Sequence, residues 1–143
     1  MPGLFSEEEE KRISERQKAW VAAPKTELHT HLGGSVRMET LVELAVAKGQ
    51  PRPVIDTQRA TLSECFNIFR VVHDAVNTSA DIARITREAV CDFAADGVKY
   101  LELRTTPRLL ADGASASDYL EVVLDSARRA VHEEKLDIAV GVL

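Results

Sequence analysis

Two histidines one residue apart, His29 and His31, are the residues of this sequence best placed to do chemistry. They lie in Thr26-Glu-Leu-His29-Thr-His31, a short candidate strand that Gly33-Gly34 breaks. Side chains alternate along a strand, so both imidazoles share a face, opposite Thr30, with Cα atoms ~7 Å apart. From that distance two ring nitrogens can lean onto one metal ion at about 2.0–2.1 Å each. Neutral imidazole suits zinc. A pair does not complete a site: a catalytic zinc needs a third protein ligand and an open position for water. Of the other two histidines, His132 precedes Glu133 and Glu134 and reads as a surface residue. His73 lies on the polar side of a candidate helix. It reads equally well as an exposed histidine and as a group facing a pocket.

The elements that must position these groups can be read from periodicity. Ser6-x-x-Glu9 has capping-box spacing and opens a charged helix to about Lys18, a solvated arm pinned by Trp20 and ended by Pro24. After the histidine strand, Arg37–Lys48 repeats apolar residues at helical spacing, with Gly49 as its cap. Gln50–Arg59 is a loop. Thr61-x-x-Glu64 opens a second helix, to about Val76, and Ser79 caps a third that Asp96-Gly97 ends. Val98–Thr105 is the clearest strand, Asp112–Ser117 a loop, Asp118–Glu134 a helix and Asp137–Leu143 a final apolar strand. Strands separated by helices imply right-handed crossovers and a parallel α/β sheet. The Gly-Gly break puts the histidines at the carboxyl end of their strand, where such folds carry active sites. On the second strand, Leu101 and Leu103 should meet the helices. Tyr100, Glu102 and Arg104 face the other way, with Glu102 and Arg104 in a supporting network and Glu27 beside the histidines in a similar role.

Composition narrows the function classes. The 143 residues carry a net charge of −5, with 45% hydrophobic and 29% charged residues, a globular balance rather than a disordered or membranous one. No basic stripe is present to neutralise a nucleic-acid backbone, so no nucleic-acid partner is expected. No apolar run approaches the ~20 residues of a membrane helix, and the acidic start has no apolar signal segment. A cytoplasmic protein without a membrane partner is therefore expected. Cys65 and Cys91, far apart and without C-x-x-C spacing, read as free thiols in a reducing compartment.

Pro24-Lys-Thr-Glu-Leu-His29-Thr-His31-Leu-Gly-Gly-Ser35 resembles the first-strand motif of the adenosine deaminase family: Pro-Lys-x-Glu-Leu-His-x-His-Leu, then Asp or Asn, Gly, and Ser or Thr. Phe93-Ala-Ala-Asp-Gly-Val-Lys-Tyr-Leu-Glu-Leu-Arg-Thr-Thr-Pro-Arg108 is similar to that family's second strand. Its Arg-Thr-Thr-Pro-Arg, with Thr61-Leu-Ser-Glu-Cys-Phe66 and Ile68-Phe-Arg-Val-Val-His73, resembles the adenosine deaminase-like branch that acts on N(6)-methyl-AMP. The resemblance spans residues 24–143 and sets the acidic helical arm, residues 1–23, apart from a barrel portion. It implies a zinc-dependent hydrolytic deaminase on a TIM (β/α)8 barrel, monomeric when complete, with a small-molecule purine nucleotide as its partner. It makes His29 and His31 zinc ligands. It gives substrate contacts to His31, the Gly33 position, His73, Thr105, Thr106, Pro107 and Arg108. Gly33 departs from the pattern, which has Asp or Asn there.

A barrel of this kind needs about 250 residues. The family's third zinc histidine, proton-shuttle glutamate and zinc aspartate have no matching positions in this sequence. The expectation is thus the N-terminal part of such a barrel, about three parallel strands, incomplete and inactive as an isolated chain. The alternatives are an adenosine deaminase acting on the free nucleoside, another metal-dependent amidohydrolase, and a non-catalytic shortened form.

Overall fold

Ser6 begins the order that the computed structural model describes, which covers residues 6–53 and 62–143. Its hydroxyl accepts from the Glu9 amide and the Glu9 carboxylate accepts from the Ser6 amide, so the expected capping box opens α1 (Glu7–Ala22). The helix runs past Lys18, because nothing breaks it before Pro24, which disfavours helical geometry at Ala23. Trp20 is 67% exposed and pins nothing. There follow β1 (Lys25–His31), a 3-10 turn (Leu32–Gly34), α2 (Met38–Ala47), α3 (Leu62–Ala75), α4 (Ser79–Ala95), β2 (Val98–Arg104), α5 (Ala116–Glu133) and β3 (Ala139–Val142). The strands form one parallel sheet in the order β1-β2-β3. Gly49 closes α2 with a φ of 70°, as expected of a C-terminal glycine.

Two helix starts differ from the expectation for one reason. The cap of α4 is Thr78, not Ser79, and that of α5 is Ser115, three residues before Asp118. In each case an aspartate three residues after the cap, Asp81 or Asp118, completes a capping box by accepting from the cap amide. Ser79 instead donates its amide to Asp112 at 2.7 Å, tying the start of α4 to the loop after β2. β3 is shorter than expected because Asp137 turns out to Lys99 and Ile138 turns into the core. The expected loop is seen as far as Pro53; its remainder, Thr61 of the expected capping box and the Cys65 side chain lie outside the described residues.

Leu101 and Leu103 are fully buried, in one core with Ile85 and Val90 of α4 and with Val123, Ala127 and Ala130 of α5. The leucine face of β2 meets the helices as the alternation required. The β1–β2 register has one irregularity that matters: Glu27 pairs with Leu101 but Thr30 with Leu103, three steps against two. This bulge leaves Leu28 and His29 both exposed and takes Glu27 out of step with the histidines. The Glu27 carboxylate accepts from the His29 amide at 2.9 Å, so it braces the bulge backbone rather than an imidazole.

Where α2, α3 and α4 meet, Lys48 donates to the Ala75 carbonyl and to the Asp81 carboxylate, which also accepts from the amides of Asn77 and Thr78. Asp81 is 7% exposed. Burial pushes its carboxyl up, but the hydrogen bonds from Lys48 and Thr78 and the two amides outweigh this and hold it below the ordinary value. Asp81→Asn is expected to cost about 2–3 kcal/mol at neutral pH, since it leaves Lys48 partly buried without its counter-charge. A depressed carboxylate contributes fully above its unfolded value near ~4 and loses the contribution as pH falls through its lower folded value. Urea midpoints should therefore separate chain and variant at pH 7 and converge in acid. A gap independent of pH would contradict the assignment.

Candidate functional site

The carboxyl ends of β1 and β2 open onto a cavity of about 320 Å³. His31 lines it from the end of β1, Gly33 from the 3-10 turn that follows, and Arg104, Thr105, Thr106 and Arg108 from the end of β2 and the segment after it. Phe69, Val72, His73 and Val76 form the wall around α3, with Ile82 and Ile85 from α4 and Tyr119 from α5. The structure thus gathers His31, Gly33, His73, Thr105, Thr106 and Arg108 around one space. Pro107 is exposed and does not line it, and neither does His29.

His29 instead meets His31 beside the cavity. Their Nε2 atoms are 3.2 Å apart and their rings are tilted by 40°. Two ligands at about 2.0–2.1 Å from a tetrahedral ion sit about 3.3–3.4 Å from each other. The pair therefore matches one edge of a zinc coordination tetrahedron, and its donor set fits that metal. Among the described residues no cluster of three or more metal-binding side chains occurs.

The polar wall is held in place by specific contacts. Arg108 donates through Nη2 to the Val76 carbonyl at 2.6 Å, and its guanidinium lies 5.4 Å from the centre of the Tyr119 ring. The Thr105 and Tyr119 hydroxyls are 2.6 Å apart. Burial lowers the His73 imidazole below the usual histidine range, and the nearby Arg108 charge lowers it further, so it is neutral at pH 7. The expected Glu102–Arg104 network is not formed. Glu102 accepts from Tyr100 at 3.2 Å, while the Arg104 Nε is buried without a hydrogen-bond partner. Among the described residues, no carboxylate lines the cavity.

Sequence reading did not single out Tyr119. It is 2% exposed and shares a helix face with Val123, Ala127 and Ala130, so periodicity makes it a core residue. The available signal was its hydroxyl, which a buried tyrosine must satisfy.

Residues 24–142 match the family model for adenosine deaminase. The chain belongs to the adenosine deaminase family. It is 43% identical over 129 residues to a protein named N6-methyl-AMP deaminase from Danio rerio, covering 84% of this chain and 36% of that relative. It is 41% identical over 128 residues to one named N6-mAMP deaminase from Arabidopsis thaliana, covering 82% of this chain and 36% of the relative. The crystal structure of Arabidopsis ADAL complexed with GMP superposes with a TM-score of 0.75 at 34% identity, over 87% of this chain and 41% of that one. The chain thus spans about a third of the length of these curated relatives. The three parallel strands and their helices are part of a deaminase TIM barrel, as the sequence led one to expect. Among the described residues no helix is long and apolar enough to cross a membrane.

Proposed function

We propose that this chain supplies two zinc ligands and the nucleotide-binding wall of a purine nucleotide deaminase. The reaction is the hydrolysis of N(6)-methyl-AMP, or a related 6-substituted AMP, to IMP and the amine. One observation carries the reading: a single cavity joins His31 of the metal-type pair to Thr105, Thr106 and Arg108 at the mouth of the neighbouring strand. The same reading separates the helical arm, residues 1–23, from the barrel portion, residues 24–143, and has the complete protein act as a cytoplasmic monomer.

His29 and His31 would hold the ion. Bound there, zinc supplies the Lewis acidity that makes water nucleophilic at neutral pH. The chain's own residues bind and orient. Arg108 offers a forked donor to a phosphate, beside the hydroxyls of Thr105 and Thr106. Neutral His73 can exchange one hydrogen bond with sugar or phosphate. Val72, Val76, Ile82 and Ile85 exclude water from the face of the base.

A second reading, a deaminase of the free nucleoside, is favoured by one contact: Arg108 already spends Nη2 on the Val76 carbonyl. The two readings separate in a chimera in which this chain replaces the matching segment of the Arabidopsis N6-mAMP deaminase. The proposal expects methylamine release from N(6)-methyl-AMP in preference to N(6)-methyladenosine. A folded, zinc-loaded chimera that prefers the nucleoside would contradict it. The 143-residue chain alone is expected to show no turnover, because two histidines leave a catalytic zinc short of its third protein ligand and no position of the chain matches the family's proton-shuttle glutamate. Zinc-dependent release of amine by that chain would refute this.

Gly33 tests the substrate contact from the other side. A Cβ built there would lie 3.9 Å from Phe69 and Val72, ordinary contact, and the backbone does not require glycine. Gly33→Asn should therefore fit and, by adding one hydrogen bond, tighten IMP binding about fivefold. Unchanged or weaker binding in paired titrations would remove the nucleotide from that corner of the cavity.

A further inference from the structure

Tyr119 makes more of its position than packing requires. Its hydroxyl is 2.6 Å from Thr105 Oγ1, and its ring lies under the guanidinium of Arg108, 5.4 Å away. Arg108 is also tied to the Val76 carbonyl at 2.6 Å. Three separate parts of the fold thus converge on two cavity-lining donors: α5 through Tyr119, the segment after α3 through Val76, and the mouth of β2.

We infer that Tyr119 is a positioning residue that presets Thr105 and Arg108 as a pair of donors for an oxyanion in the cavity. This rests on the nucleotide reading above and deepens it, with the 5′-phosphate as the oxyanion. The direction of the hydroxyl bond follows from burial and acidity. A phenol is the more acidic group, so it is the better donor, and a hydroxyl can accept while donating elsewhere. Tyr119 is 2% exposed and Thr105 is its hydroxyl's partner, so donation by Tyr119 leaves no buried proton unpaired. Thr105 lines the cavity and keeps its own O–H for a ligand. Arg108 keeps its remaining N–H groups, because the ring occupies its face and Val76 takes only Nη2. Leucine would fill the same core space and hold neither donor. Phenylalanine would keep the ring under Arg108 and release Thr105 alone.

The test compares the full 143-residue chain with Tyr119→Phe and Tyr119→Leu. The probes are IMP and inosine, which differ by the phosphate. Tyr119→Phe should lower the IMP-over-inosine preference about fivefold, and Tyr119→Leu about tenfold or more, with IMP affinity falling further than inosine affinity in both. Thr105→Val should add little to Tyr119→Phe, because the two act through one bond. A packing role alone would weaken both ligands in parallel, so a preserved ratio overturns the inference. A second reading uses no ligand. The Arg108 Nε–H resonance should shift in Tyr119→Leu but hold in Tyr119→Phe, and an unmoved signal in both variants also overturns it. If the unaltered chain shows no preference for IMP over inosine, the nucleotide reading fails and the Arg108 resonance alone decides the role of Tyr119.

Discussion

Zinc affinity is expected to fall about a hundredfold when either His29 or His31 is replaced by alanine. The expectation follows from the 3.2 Å approach of the two Nε2 atoms. In the absence of an ion, two nitrogens at that distance need one N–H and one lone pair between them. A metal replaces that weak bond with two coordinate bonds. A structural zinc site with four ligands is worth about 10–16 kcal/mol, so one ligand carries roughly 3 kcal/mol. Competition against a coloured chelator gives the affinity directly. The two variants should also differ from each other. His31 lines the cavity and His29 does not, so His31→Ala should disturb nucleotide binding without added metal while His29→Ala should not. His132, exposed on α5, is the control: His132→Ala should leave zinc binding as it was. Equal affinity in all three variants would mean that the histidine pair does not bind the ion.

Arg108→Ala should reduce IMP affinity about thirtyfold and leave inosine nearly unaffected. Charge-assisted hydrogen bonds are worth about 1.5–3 kcal/mol, and among the described residues the cationic side chains that line the cavity are those of Arg104 and Arg108. Arg108→Lys should recover little of the loss. An ammonium has no fork to hold the Val76 carbonyl and a phosphate at once, and it stacks poorly on the Tyr119 ring. Calorimetric titration of both ligands into both variants measures the effect. A parallel loss for IMP and inosine would assign Arg108 to packing and favour the nucleoside reading.

Much of the site was legible because its residues sit at element ends with strong local signals. The Gly33-Gly34 break placed the histidines at a strand mouth and the run from Val98 to Thr105 gave the neighbouring strand, while the site roles of Thr105 and Arg108 rested on the family resemblance. What escaped the sequence depends on register and on distant contacts. The bulge that moves Glu27 out of step with the histidines is a relation between two strands, and no local pattern in β1 shows it. Tyr119 was not singled out from the sequence, and only the fold brings its hydroxyl to Thr105. The Glu102–Arg104 pairing failed for a related reason. Residues two apart on a strand share a face, but sharing a face does not choose partners, and Tyr100 takes the Glu102 carboxylate. The helix starts at Thr78 and Ser115 were readable from their aspartates three residues on, had these been taken as box members.

The central claim is that one metal pair and one nucleotide wall share a site at this strand mouth. The side-chain nitrogen spectrum of the chain labelled at its four histidines tests it most directly. Adding zinc should move the Nε2 signals of His29 and His31 together, and adding IMP should then move His31 and His73, with His132 still throughout. Zinc-induced shifts confined to His73 or His132, or an IMP response that bypasses His31, would contradict the account.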